Sequence, residues 1–372
     1  MNYCVIYFLP ICLLFLSFAL CLPDSCQEST EDPICSKASM HVSRTLHQAT
    51  MRAVRVHAFG GPDKLKLDSD VPIPEPNEKQ VLVRVHAAGV NPVETYLRQG
   101  TYHIKPPLPW IPGNDCAGVV EKVGPGVSKY KTGDRVFTYK SVTGSYAEYT
   151  VTNEKDVFTL PAPLSFQQGA AMGIPYFTAY HALILRAKAK AGHKVLVHGA
   201  SGSVGIASVQ LAKAYGMTVY GTAGSPEGLE LVRNAGAKMS FNHRQPGYTD
   251  KIMEATDGSG VDVIIEMLAN VNLQKDLELL ARGGTVAVVG NRGNIEINPR
   301  LMMLKESSIV GVLIPPDAEA IKLQINAALQ PGMEQGWIQP VIGKEYSMAE
   351  AGQAHEDVVS TKPTLGRLVI VP

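Results

Sequence analysis

From residue 51 to about 160 the apolar positions alternate with polar ones in short runs. The runs Ala53–Val56, Val81–Ala87, Ala117–Val123, Arg135–Tyr139 and Tyr146–Val151 each predict a strand. Breakers separate them: Gly60-Gly61-Pro62, Pro72–Pro76, Lys105–Pro109 and Gly124-Pro125-Gly126. Many short strands with Gly/Pro punctuation describe a barrel-like or partly open antiparallel domain. From about residue 174 the period changes. Strands are predicted at Lys194–His198, Thr218–Thr222, Met239–Phe241, Asp262–Glu266, Thr285–Val289 and Ser308–Val312. Helices are predicted between them at Val204–Tyr215, from Ser225-Pro226-Glu227 to Gly236, and over 248–256 and 273–281. Strand–helix alternation of this kind builds a doubly wound parallel sheet. Two more helices, over 317–329 and 347–359, precede a last strand, Arg367–Val371, that is expected to return to the first domain. The expected fold class is therefore α/β: an antiparallel barrel plus a parallel sheet.

The first fifty residues follow neither pattern. Tyr3–Leu22 is almost wholly apolar, and Ala19 and Cys21 are spaced like a signal-peptidase site, so 3–22 is signal-like. Its length also approaches a membrane span. A third reading treats 1–50 as an extension, with translation starting at Met40 or Met51 and a cytoplasmic enzyme following; the secretory pathway is the alternative. The organisation read from the chain is an extension over 1–50, a barrel domain over 51–173, a dinucleotide-binding domain over 174–311, and a return to the first domain over 312–372.

Composition narrows the chemistry. The chain of 372 residues carries 34 basic and 34 acidic side chains, which argues against a dedicated polyanion binder. No basic stripe or aromatic platform supports RNA binding. Five of the six cysteines lie in the first 35 residues, leaving only Cys116 beyond them. A body with one cysteine holds neither an internal disulfide nor a multi-cysteine zinc site.

The chemical centre is Val195–Gly205. A short β-branched strand delivers Gly199, Gly202 and Gly205 to the start of a helix. Free N–H groups and the helix dipole at such a junction suit a pyrophosphate. Gly199 and Gly202 allow a tight turn and close approach, and Gly205 lets the helix pack on the strand. An NAD site usually places an acid about 20 residues on, to hold the ribose 2′-OH. That place reads Gly221–Ser225 with no acid, which admits a 2′-phosphate. His243 and Arg244, just after the third strand, are the expected cations.

These residues, with Ala88–Tyr96, Gly133–Val136, Gly173–Tyr180 and Glu266–Asn272, resemble the medium-chain dehydrogenase/reductase superfamily, and within it the zinc-free quinone oxidoreductases. The resemblance covers 51–372. It implies a GroES-like barrel, a Rossmann sheet, NADPH in the cleft between them and, in the zeta-crystallin branch, a homotetramer. Alcohol-oxidising relatives bind catalytic zinc with cysteines and a Gly-His-Glu motif; here Gly113-Asn114-Asp115 and Asn91-Pro92-Val93 stand in those places, so the expected metal is none. Without a Lewis acid the acceptor must already be electrophilic, as an ortho-quinone is. An activated alkene, 2-alkenal or enone, meets the same need. The transfer from NADPH is expected as a hydride or as single electrons; hydride added to a quinone leaves a hydroquinone anion of pKa about 10, judged by phenol, which water can protonate.

The resemblance also implies cofactor positions at Tyr96, Ser201, Gly202, Ser203, Val204, Gly224, His243 and Asn272. To these it adds Val289, Gly290, Asn291 and Arg292, and the strand end Val312, Leu313 and Ile314. Tyr96 is expected beside the nicotinamide or hydrogen-bonded to the quinone oxygen. Asn91 is expected to orient the carboxamide or substrate, or else to be a turn residue. Thr178 is expected to open a helix at the cleft and touch the ribose, or to cap it. His198 and Cys116 are expected to be buried, and Asp134-Arg135 to form a turn and an ion pair.

Overall fold

Strands β1 (Thr50–Val56) and β2 (Leu65–Pro72) pair as an antiparallel hairpin; β1 buries most of its length, whereas β2 is largely exposed and buries only Val71. The structure is a computed structural model, and it describes residues 49–360 and 365–372. The chain divides into two units, Met1–His47 and Gln48–Pro372. The signal-like segment 3–22 lies outside the described residues. Among the described residues no helix is long and apolar enough to cross a membrane.

Strand β3 (Gln80–Gly89) is followed by helix α1 (Pro92–Gln99), then β4 (Cys116–Val123), β5 (Arg135–Thr138), β6 (Tyr149–Asn153) and β7 (Val157–Thr159). Helix α1 goes beyond the strands expected of this half, although its start is legible: Asn91 caps it, Pro92 occupies its first turn and Glu94 completes a capping box. A helical run follows, containing α2 (Phe166–Gly169), a π-helical Met172–Tyr176, α3 (Phe177–Tyr180) and a π-helical His181–Arg186. Pro175 lies inside this run and removes one donor from its ladder.

The second half alternates as expected. It contains β8 (Lys194–Val197), α4 (Ser203–Ala214), β9 (Thr218–Ala223), α5 (Pro226–Ala235), β10 (Met239–Asn242) and α6 (Tyr248–Ala255). Then come β11 (Val261–Glu266), α7 (Ala269–Leu279), β12 (Leu280–Val288), α8 (Pro299–Lys305) and β13 (Ser308–Gly311). The last elements are α9 (Glu319–Gln335), β14 (Ile342–Ser347), α10 (Ala351–Val359) and β15 (Arg367–Val371). Six parallel strands order as β10-β9-β8-β11-β12-β13. The strand order reverses beside β8, and there open α/β sheets hold their ligands.

The barrel sheet orders as β14-β15-β3-β4-β5-β7, with β6 also on β3; its pairs are antiparallel except β14 with β15, which is parallel. Strand β15 pairs antiparallel with β3, so the C-terminus closes the barrel sheet. One apolar core runs from Phe137 and Phe158 of the barrel through Phe177 to Val197, Ile265 and Leu329. That shared core sets the two sheets against each other and positions the cleft between them.

Candidate active site

The glycine turn sits where β8 meets α4. Gly199 has φ +56, the left-handed region that favours glycine. A Cβ on Gly205 would lie 2.4 Å from the Gly199 carbonyl oxygen, so only glycine lets the helix start this close to the strand. Gly202 is the N-cap of α4, and the first-turn residues Ser203, Val204 and Gly205 line a cleft of about 540 Å³. The start of β15 holds the turn from the other domain. Gly366 donates its N–H to the Ser201 carbonyl at 2.7 Å, and Ser203 Oγ donates to the Gly366 carbonyl at 3.2 Å.

The cleft gathers many of the expected residues: Asn91, Tyr96, Thr178, Gly199, Gly202–Gly205, Val289–Arg292 and Val312–Ile314. Ser201 is outside the lining, turned toward Gly228. Gly224, His243 and Arg244 are outside it too, but they meet one another. A Cβ at 224 would lie 2.8 Å from Arg244 Nε and 3.1 Å from His243 Nε2. Burial, reinforced by His198 and Arg244, lowers the His243 pKa. The permanent cation at this strand end is therefore Arg244.

Four expectations change. Asn91 does not have a free amide to offer. Its Nδ2 donates to Glu94 at 3.0 Å and to Asp115 at 2.7 Å, and its Oδ1 accepts from Arg367 at 2.8 Å. It is a positioning residue that caps α1. Asn272 does not line the cleft; its Nδ2 donates to Glu266 at 3.2 Å. Thr178 lines the cleft from the middle of the helical run and neither opens nor caps it. Arg135 forms no ion pair with Asp134; it donates to the carbonyls of Ala162 and Leu164 and stacks over Phe166. Cys116 is buried as expected, and burial pushes its thiol up to about 12, too high for a thiolate nucleophile.

Sequence reasoning misses Tyr102, Tyr139, Met267 and Arg367, which all line the cleft. Arg367 anchors a buried network. It grips Asp115 through two 2.8 Å bonds, and Asp115 also accepts from Ile174 N at 3.0 Å. Glu94 accepts from Tyr146 at 2.7 Å, and burial with Asp115 nearby raises its pKa. The network ties α1, β4, β15 and the helical run into one floor.

A second buried cluster lies behind the glycine turn. His198 Nε2 is 3.0 Å from Asp276 and 3.8 Å from Glu266. Neither His198 Nε2 nor either Asp276 oxygen has an aligned hydrogen bond. Among the described residues these three side chains are the one group of three potential metal donors. The set is equally neutralised by protons, because burial pushes Glu266 and Asp276 each up to about 7. Raised carboxyl pKa values mean the folded chain holds these protons more tightly than the unfolded one. Their stabilisation is full below about pH 4 and is lost as pH rises through about 7. Asp276→Asn is therefore expected to raise the Tm by a few degrees at pH 8, on the order of 1–3 kcal/mol. The gain shrinks toward pH 5, and thermal unfolding at both pH values checks it.

Comparison with known proteins agrees with this geometry. Residues 77–162 match the alcohol dehydrogenase GroES-like domain model, and residues 203–326 match the zinc-binding dehydrogenase model. The quinone oxidoreductase of Homo sapiens is 55% identical over 324 residues, covering 87% of this chain and 98% of that protein. The chain belongs to the quinone oxidoreductase family of the medium-chain dehydrogenase/reductase superfamily. Members of this family use a nicotinamide cofactor. The quinone oxidoreductase of Pseudomonas aeruginosa is 31% identical, with 86% of this chain and 99% of that protein covered. Among solved structures, an NAD-dependent alcohol dehydrogenase superposes with a TM-score of 0.81 at 28% identity, covering 87% of this chain and all of that one. A mycobacterial protein in complex with NADPH superposes at 0.78 with 27% identity, again covering 87% of this chain and 100% of that chain.

The second matched family is that of zinc-binding dehydrogenases, yet among the described residues the cleft lining contains no Cys, His, Asp or Glu. The carboxylate of Asp115 is held by the Arg367 guanidinium, a fixed cation where relatives with a metal need free donors. The residues present do not fit a catalytic zinc in this cleft. They do fit a dinucleotide: a glycine cradle that a Cβ would fill opens into an apolar cleft.

Proposed function

We propose that the chain is an NADPH-dependent quinone reductase that works without zinc. One observation carries the reading. A single cleft joins a phosphate cradle to an aromatic, apolar end whose described residues include no metal donor. The domain roles follow, with 174–311 binding the cofactor and 51–173 with 312–372 supplying the acceptor end. The mycobacterial relative bound to NADPH supports the choice of cofactor. So does the lack of an acid over Gly221–Ser225 at the end of β9, with Arg244 beside Gly224.

NADPH supplies a hydride equivalent when bound. The protein does the rest. The N–H groups of Gly202–Gly205 hold the pyrophosphate, and Arg244 meets the 2′-phosphate. Thr178 and Val312–Ile314 line the path to the barrel end of the cleft. Tyr96, Tyr102 and Tyr139 wall that end, giving flat faces for a planar acceptor and excluding water. The quinone brings its own electrophilicity, so no Lewis acid is needed.

Purified protein is expected to consume NADPH with 9,10-phenanthrenequinone, with kcat/KM at least tenfold above that for NADH. Arg244→Glu is expected to cut that preference by about 10–100-fold, the loss of one charge-assisted contact plus a new repulsion. Absence of turnover with any quinone, alongside rapid reduction of an alkenal, would transfer the reading to an enone reductase.

A further inference from the structure

Tyr139 combines three features that no other cleft residue shares. It follows β5 and anchors its N–H on the Asp156 carbonyl at 2.9 Å. Its ring stacks on Phe177, with centroids 5.3 Å apart. The ammonium of Lys322, which is fully buried, sits 5.5 Å from the same ring. Lys322 is itself pinned by the Asp156 carboxylate and by the Pro316 carbonyl at 3.1 Å. The ring is thus clamped between α3 and α9, with only 8% of the residue exposed, and it lines the cleft.

The hydroxyl of this clamped ring has no hydrogen-bond partner among the described residues, and it is not among the sealed, unpaired oxygens. A buried phenol ordinarily finds a partner. Tyr139 instead keeps its donor for whatever enters the cleft. Burial, with Asp115 and Asp156 nearby, holds the phenol well above its ordinary pKa, so it stays protonated at any working pH. Tyr96 and Tyr102 lack this clamp. Each is only partly buried, and the Tyr102 ring packs on the exposed His103.

We propose that Tyr139 is the catalytic hydrogen-bond donor to the acceptor's carbonyl oxygen, and that it selects for acceptors carrying such an oxygen. This rests on the quinone-reductase reading. No covalent step is assigned to Tyr139. As a hydride equivalent adds to the quinone, charge develops on the carbonyl oxygen, and a donor already aimed there strengthens without reorganising. The proton that completes the hydroquinone comes from water, and the phenol keeps its own.

Tyr139→Phe keeps the ring, the stack and the Lys322 contact while removing the donor. The expected result is a 10–100-fold fall in kcat/KM for 9,10-phenanthrenequinone, with NADPH affinity and Tm unchanged. Binding of 9-fluorenone, a planar ketone, reads the same contact without turnover. Its carbonyl stretch should lie lower in the wild-type complex than in the Tyr139→Phe complex. Equal carbonyl stretches in the two proteins, or quinone turnover unchanged within twofold, would overturn the assignment. If wild type turns over no quinone but still shifts the fluorenone stretch through Tyr139, the function reading fails and the donor assignment stands.

Discussion

Replacing Gly205 with alanine is expected to weaken NADPH binding at least 100-fold and to abolish quinone turnover. The added Cβ would stand 2.4 Å from the Gly199 carbonyl oxygen and 2.6 Å from Ala200 Cα. Both obstacles are backbone, so neither can rotate away. Relief requires α4 to move off β8, and with it the first-turn residues Ser203 and Val204 that line the cleft. A hundredfold loss is about 2.7 kcal/mol, the scale of several displaced charge-assisted bonds. Quenching of NADPH fluorescence measures it. Gly202→Ala is the control for the fold. Its Cβ would meet the Gly199 oxygen at 3.4 Å, an ordinary contact, so its Tm should match the wild type. A Gly205→Ala protein that binds NADPH normally would show that the cradle is not the phosphate site.

Asp115→Ala is expected to be the most destabilising single change in the barrel. It removes the acceptor for both Arg367 bonds, for Asn91 Nδ2 and for Ile174 N. Arg367 would be left as an uncompensated charge with only 3% of its side chain exposed. Breaking one side of a buried pair costs about 3–5 kcal/mol, or a Tm fall of roughly 4–8 °C for a body of this size. Adding Arg367→Met should recover part of the loss, because no orphan charge then remains. Differential scanning calorimetry of the single and double variants reads the coupling. Additive losses would show that the two residues do not act as a pair. Because Arg367 and Asn91 border the cleft, the single variant should also raise the KM for quinone.

Much of the fold is legible in the amino-acid sequence. Most parallel strands of the second half are short and β-branched, and β8 through β13 all appear at their expected places, β12 starting five residues earlier, at Leu280. The barrel is less legible. Strands β2, β7 and β14 escape the alternation pattern because their exposed, charge-rich faces and short lengths weaken it. Helix α7 begins at Ala269, four residues before its expected start, because Asn270 and Asn272 lower its helix signal.

The site divides in the same way. The glycine turn, and the absence of an acid over Gly221–Ser225, are local features, set by which backbone conformations and charges each residue permits. They suffice to point to a dinucleotide. Tyr139, Arg367 and the His198–Glu266–Asp276 cluster have no local signature. Each depends on side chains brought together from far apart in the chain: Tyr139 with Lys322, Arg367 with Asp115, His198 with Asp276. Asn91 shows the limit most clearly. Its sequence context fits equally a catalytic amide or a turn, and only the return of β15 beside β3 brings in the guanidinium that occupies it. The strand–helix alternation, the phosphate cradle and the lack of cysteine ligands are thus written in the order of the residues. Which polar groups are consumed by one another, and which are left to meet a substrate, is a property of the folded chain, because hydrogen-bond capacity is settled only when distant elements pack.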